Sequence, residues 1–94
     1  MPKARKSIFA EPYIGIIRGL TARRRELGLT QWDVARHFGE DQSFVSRIER
    51  LQRRLDVHEY AVFCGVLNLE PAGLIEGITA ETRKRMRKGR SGHR

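Results

Sequence analysis

The stretch TQWDVARHFGEDQSFVSRIER, residues 30–50, decides how the rest of the chain is read. Its residues describe two short helices joined by a tight turn. Thr30 carries the hydroxyl that caps a helix N-terminus, and Asp33, three residues on, is spaced to answer it or to complement the helix dipole. Val34, Ala35 and Phe38 then fall on one face at helical spacing, with Arg36 and His37 directed elsewhere. Gly39 follows the last apolar residue, where a left-handed backbone is open to glycine without steric cost, and Asp41 stands ready to cap a second helix. In that second helix Val45 and Ile48 face inward. Gln42, Ser43, Ser46, Arg47 and Arg50 take the outer side, which is almost free of carboxylates.

Counted from Gln31, Ala35 is fifth, Gly39 ninth, Val45 fifteenth and Ile48 eighteenth, the spacing of a helix-turn-helix unit. Each position has a physical reason. A small Ala35 lets the two helices cross closely, Gly39 makes the turn, and Val45 and Ile48 bury the second helix. The likeness extends beyond the motif. Over residues 12–75 the segments RRRELGLTQWDVARHFG, SFVSRIER and RRLDVHEYAVFCGVLNLEP resemble the lambda-repressor-like family, also known as Cro/repressor or XRE. The resemblance implies an all-α, compact five-helix DNA-binding domain over residues 11–78. A basic arm, residues 1–10, and a basic tail, residues 79–94, are read as flexible termini. It further implies sequence-specific binding of double-stranded DNA by a transcriptional regulator of repressor type, with helix 42–50 in the major groove.

Within that reading the outer face acquires roles. Gln42 can bond an adenine edge in two places and Arg47 a guanine edge, while Ser43 and Ser46 are short enough to let the backbone approach and to bond a base or a phosphate. Gln31 is placed for a phosphate, and Arg36, Arg50, Arg53 and Arg54 are further phosphate candidates. For each arginine the competing reading is a solvated surface charge. Phe44 has two readings as well: contact with a thymine methyl, or packing on Trp32 that stiffens the motif. In the resembling family the positions of Arg24 and Glu49 form an ion pair that ties the first and recognition helices together, and that role carries over to these two residues. Leu51 departs from the family, which favours glycine just after the recognition helix. A leucine there is costly unless the helix extends.

The 94 residues allow one small domain with tails, and 39% hydrophobic residues suffice for a small helical core. The net charge of +8 is concentrated at the ends, in Lys3, Arg5 and Lys6 and in Arg83, Lys84, Arg85, Arg87, Lys88, Arg90 and Arg94 against Glu81. Inside the domain, residues 18–54 hold nine arginines against five acids, whereas residues 55–79 hold four acids and no Lys or Arg. The motif therefore sits on the basic side of a polarised molecule.

Pro12 suits the first turn of a helix in which Ile16, Ile17, Leu20, Arg24 and Leu27 share a face until Gly28 ends it. Gly15 and Gly19 weaken that helix and, four residues apart, permit close packing of another. After the 51–54 loop, Asp56 is the natural cap of a helix carrying Leu55, Val57, Tyr60, Phe63, Cys64 and Leu67 toward the core. Pro71 opens a short helix with Leu74, Ile75 and Ile78, which either cover the core or, by resemblance, pair two copies into a homodimer. Thr79 is read as the cap of one more basic helical segment ending at Gly89, with RSGHR disordered.

A single cysteine excludes an internal disulfide, and Cys64 reads as a buried, inert thiol. His37, His58 and His93 are scattered without metal-ligand spacing, so neither a metal nor another cofactor is expected. No nucleophile–base pair or phosphate-cradling loop suggests an enzyme. No stretch is apolar and long enough for a membrane span or signal peptide, which makes a cytoplasmic protein the default. Two other readings belong to different classes. One is an antitoxin-type module that holds a protein partner through its C-terminal region, the other an RNA-binding adaptor.

Overall fold

A computed structural model describes residues 11–93, with side chains as far as residue 87; the N-terminal arm and Arg94 lie outside the described residues. Five α-helices follow one another: α1 Glu11–Glu26, α2 Gln31–Ala35, α3 Gln42–Glu49, α4 Val57–Leu67 and α5 Pro71–His93. A single 3-10 turn, Arg36–Phe38, prolongs α2 toward Gly39. No strand occurs among the described residues.

The starts of the helices are set by side chains. Thr30 and Asp33 form a reciprocal capping box on α2, Asp41 accepts from the Ser43 N–H at the start of α3, and Asp56 forms a second capping box with Glu59 on α4. Each pair satisfies backbone donors that a helix N-terminus leaves without partners. The ends share one construction. After α1, after the 3-10 turn, after α3 and after α4 the chain turns through a left-handed residue, respectively Gly28, Gly39, Leu51 and Asn68. In each case the next N–H returns to a carbonyl five residues back, as Gln52 does to Arg47 at 2.8 Å and Leu69 to Cys64 at 2.9 Å.

Leu51 is the exception in this series. Helix α3 does not extend past Glu49, and Leu51 takes φ 64° as a leucine, a conformation that costs an L-residue about 1–2 kcal/mol. Its side chain, half-buried against the core cluster, offsets that strain by packing.

The core is formed by Ile17 and Leu20 of α1, Val34 and Ala35 of α2, Phe44, Val45 and Ile48 of α3, and Phe63, Cys64 and Leu67 of α4. Phe38 links the two sides of it, its ring centroid 4.9 Å from that of Phe44 and 5.1 Å from that of Phe63. Three expected members behave otherwise. Val57 is 85% exposed because it occupies the first turn of α4 and faces solvent; Leu27 is exposed beyond the end of α1; and Leu55 packs from the loop before α4. Cys64 is free and buried.

The C-terminal region departs most from expectation. One helix runs from Pro71 to His93 without a break at Thr79 or at Gly89, and RSGHR is helical as far as His93. The Thr79 hydroxyl bonds back to the Ile75 carbonyl at 3.4 Å, so it continues the helix rather than capping a new one. Leu74 packs where Gly19 has no side chain: a Cβ at Gly19 would lie 2.7 Å from Leu74 Cδ2. Further along, a groove of about 380 Å³ opens between the two helices, lined by Pro12, Gly15 and Ile16 on α1 and by Leu74, Gly77 and Ile78 among the α5 residues.

Candidate nucleic-acid interface

The outer side of α3 stands clear of the rest of the chain. Gln42, Ser43, Arg47 and Arg50 are exposed and Ser46 is half-buried, while Phe44, Val45 and Ile48 are buried beneath them. The sequence pattern thus divides the helix as its periodicity indicated. Phe44 is a packing residue and does not project, but its partner is Phe38. Trp32 is 51% exposed.

Behind this surface lies a connected set of polar side chains. The Arg24 guanidinium grips Glu49 with two bonds, Nε to Oε2 at 2.7 Å and Nη2 to Oε1 at 2.9 Å, and its Nη1 donates to the Leu29 carbonyl at 2.8 Å. Both side chains are only 9% exposed. Glu49 Oε1 also accepts from Gln31 Nε2 at 2.9 Å, and Gln31 Oε1 in turn accepts from Gln42 Nε2. A chain of hydrogen bonds therefore leads from α1, through the end of α3 and the start of α2, to the first residue of α3. The family-derived ion pair is present. What sequence reasoning missed is that Gln31 continues it outward to Gln42; two glutamines eleven residues apart gave no sign of meeting until the turn between them was in place.

At the N-terminus of α3, the Ser43 hydroxyl donates to Asp41 Oδ1 at 2.6 Å and the Ser43 N–H to the same oxygen at 3.1 Å. The hydroxyl bond first, with the N–H bond supporting it, holds the Asp41 carboxyl below its ordinary value of 3.8. Asp33 is lowered likewise, chiefly by the Thr30 N–H and then by its hydroxyl. Ser43 keeps its acceptor lone pairs, so it can still take a donor from a base edge.

The arginines around α3 divide into two kinds. Arg36, Arg47 and Arg50 are exposed. Arg53 is fixed: its two terminal nitrogens bond Glu59 at 2.9 and 3.0 Å, Nη1 also reaches the Arg54 carbonyl, and its guanidinium carbon lies 4.8 Å from the centre of the Phe44 ring. The Arg53 bonds hold Glu59 below its ordinary 4.5, and Glu59 in return raises Arg53. Arg54 lies over the Tyr13 ring at 5.2 Å, and the Tyr13 hydroxyl accepts from the Leu55 N–H at 3.0 Å. The 51–54 loop is thereby clamped to α1, α3 and α4 through Arg53, Arg54 and Leu55.

Leu74 is half-buried on α1, whereas Ile75 and Ile78 are 37% and 38% exposed. Ile75 borders a second apolar recess with Ile16, Leu55, Val57 and Tyr60. Burial, with a bond between Tyr60 and Cys64 in support, pushes the Tyr60 hydroxyl up to about 12. That hydroxyl donates to the Pro71 carbonyl and so anchors the start of α5. Among the described residues no group of three His, Cys, Asp or Glu side chains is arranged to hold a metal ion, and no helix is long and apolar enough to cross a membrane.

A helix-turn-helix family pattern matches residues 20–74, which takes in α2, α3 and α4 whole. A solved structure described as an XRE-family like protein from Pseudomonas syringae pv. tomato str. DC3000 is 37% identical and superimposes with a TM-score of 0.70, covering 84% of this chain and 96% of that one. The chain belongs to the XRE family of helix-turn-helix proteins. No curated protein matches it. As an XRE-family protein it falls among DNA-binding transcription regulators, and α3 occupies the position of the second helix of the motif, the one that enters the major groove in such proteins.

Proposed function

We propose that this XRE-family protein is a sequence-specific repressor that binds duplex DNA as a homodimer, with α3 in the major groove. The observation that carries the reading is the bonded series Arg24, Glu49, Gln31, Gln42. It orients the Gln42 amide from behind, at the start of a helix whose exposed side has no unpaired carboxylate. Gln42 and Arg47 then read adenine and guanine edges, with Ser43 and Ser46 completing the base contacts. Gln31, Arg36 and Arg50 hold phosphates and set the register. Arg54 joins them from the rim. Arg53, engaged by Glu59 and Phe44, acts by keeping the loop and α3 in place rather than by neutralising a phosphate. Leu74, Ile75 and Ile78 support the dimer: Ile75 and Ile78 leave an apolar strip on α5, and a two-fold protein is what symmetric half-sites require.

The test pairs selection of bound sequences from random duplex DNA with two substitutions. Arg47→Ala is expected to relax the preference at one position and to weaken the selected site by about 1–3 kcal/mol. Arg53→Ala is expected to weaken all sequences alike while leaving the salt dependence unchanged, since no phosphate contact is lost. A gel-shift panel in which the two variants behave identically counts against the assignment, and so does a selection that yields no preferred sequence.

A further inference from the structure

We infer that the C-terminal half of α5 is a second DNA-binding site, sequence-independent and separable from α3. Toward its C-terminal end the helix carries Arg83, Lys84, Arg85, Arg87, Lys88 and Arg90, with Glu81 as the one acid of that segment. Glu81 is matched to Arg85 at 3.7 Å. Every side chain described from residue 81 to 87 is exposed.

Three observations point to a ligand. The first is the source of the helix's stability. Burial holds α5 near Leu74, but every side chain described from residue 81 to 87 is exposed, Gly89 and Gly92 disfavour a helix, and the run from Arg83 to Arg90 gives the segment a surplus of like charge whose members repel one another. The helix dipole favours cations only within its last turn. A polyanion lying along the segment turns that repulsion into attraction.

The second is charge density. Setting aside Arg85, which Glu81 matches, five cations fall within eight helical residues, about 12 Å, one per about 2.4 Å, against one phosphate per about 1.7 Å of duplex DNA. The third is direction. Leu74, Gly77, Ile78, Glu81, Thr82 and Arg85 line the groove toward α1, so helical spacing turns Arg83 and Arg87 to the opposite side, with Lys84 beside them. The main neighbours of α5 are α1 and α4 and those of α3 are α1 and α2, so the two basic surfaces belong to helices that are not main packing partners of each other. DNA held by α5 is a flanking stretch or a second duplex, not the base pairs under α3.

The site is tested in the full chain with a mixed-sequence duplex as probe, titrated between about 50 and 200 mM salt. The triple variant Arg83→Gln, Lys84→Gln, Arg87→Gln keeps good helix formers, so α5 persists by circular dichroism. It is expected to bind the probe at least about tenfold more weakly at the midpoint of that range, and to lose about 2–3 from the slope of log affinity against log salt. Arg83→Lys with Arg87→Lys is expected to retain both. Gln42→Ala with Arg47→Ala is expected to abolish base preference yet keep most binding to the mixed duplex. This last comparison separates the two readings, because failure of the α3 assignment leaves the effect of the triple variant intact. An unchanged slope in the triple variant overturns the inference. So does a structured RNA that competes for this segment far better than the duplex, which would make it an RNA site.

Discussion

The region around α2 and α3 and the region built on α5 use their side chains in opposite ways. Around α3, polar groups are joined from the interior outward: Arg24 to Glu49, Glu49 to Gln31, Gln31 to Gln42, with Arg53 and Glu59 bracing the loop that follows. Among the described residues, no buried side-chain nitrogen or oxygen lacks a partner. Along α5, by contrast, Ile75, Ile78 and Met86 are left partly exposed, Ile78 on the wall of an open groove, and the basic segment has one acid in it. On the proposed function, the contrast follows from what each surface has to do. A few donors that must meet base edges in one orientation need support from behind. A surface completed by a second molecule keeps its contacts for that molecule.

The largest effect is expected at the centre of the interlocked region. Glu49→Ala leaves the Arg24 guanidinium buried without its carboxylate and releases Gln31, so chemical denaturation should report a loss of about 3–5 kcal/mol. A loss below about 1 kcal/mol would mean that the network does not brace α3, and the contrast between the regions would fail. On the other side, Ile75→Glu with Ile78→Glu should leave the fold intact by circular dichroism and weaken self-association by about a hundredfold or more in sedimentation, since two charges would enter an apolar contact. An unchanged association state removes α5 from the dimer.

A smaller effect sharpens the boundary between the regions. At Leu51, alanine keeps the left-handed strain and loses the packing, whereas glycine removes the strain. Leu51→Gly should therefore be more stable than Leu51→Ala by about 1 kcal/mol in urea, although it is the smaller residue. The reverse order would show that packing alone governs this position. The smallest effect is on pH. Asp33, Asp41 and Glu59 are all lowered by hydrogen bonds in the folded state, so the unfolded chain takes up protons first as pH falls. Stability is then complete above about 4.5 and declines progressively below it, as the midpoint of thermal unfolding should record. Glu59→Gln should flatten part of that decline.

Much of the first region was legible in the chain because its determinants are local. Thr30, Asp41 and Asp56 are capping types set just ahead of helical periodicity, and Gly39 follows the last apolar residue of its segment, so caps and turn could be read directly. The Arg24–Glu49 pair came only through family resemblance, since nothing local joins residues 25 apart. The misreadings came from competition between local and tertiary terms. Thr79, a capping type ahead of a basic segment, looks like a cap, but continuing an existing ladder of i to i−4 bonds leaves no orphaned donors to cap. Val57 has core spacing, yet the first turn of α4 lies above the packed layer. Of the two readings of Phe44, packing is the one its burial matches, but on Phe38 and not Trp32, since the partner depends on where the 3-10 turn delivers Phe38. The Arg53–Glu59 pair gave no local signal, since it joins the 51–54 loop to the first turn of α4.

Trp32 is the only tryptophan in the chain and stands half in solvent, one residue from the glutamine that supports Gln42. Its fluorescence is therefore an intrinsic gauge of occupancy on α3, one that needs no label and no engineered residue. A duplex seated there alters the polarity around the indole and shifts or quenches its emission, whereas one held by the distal part of α5 leaves the spectrum as it was. A single cuvette titration thus tells which of the two surfaces has been filled.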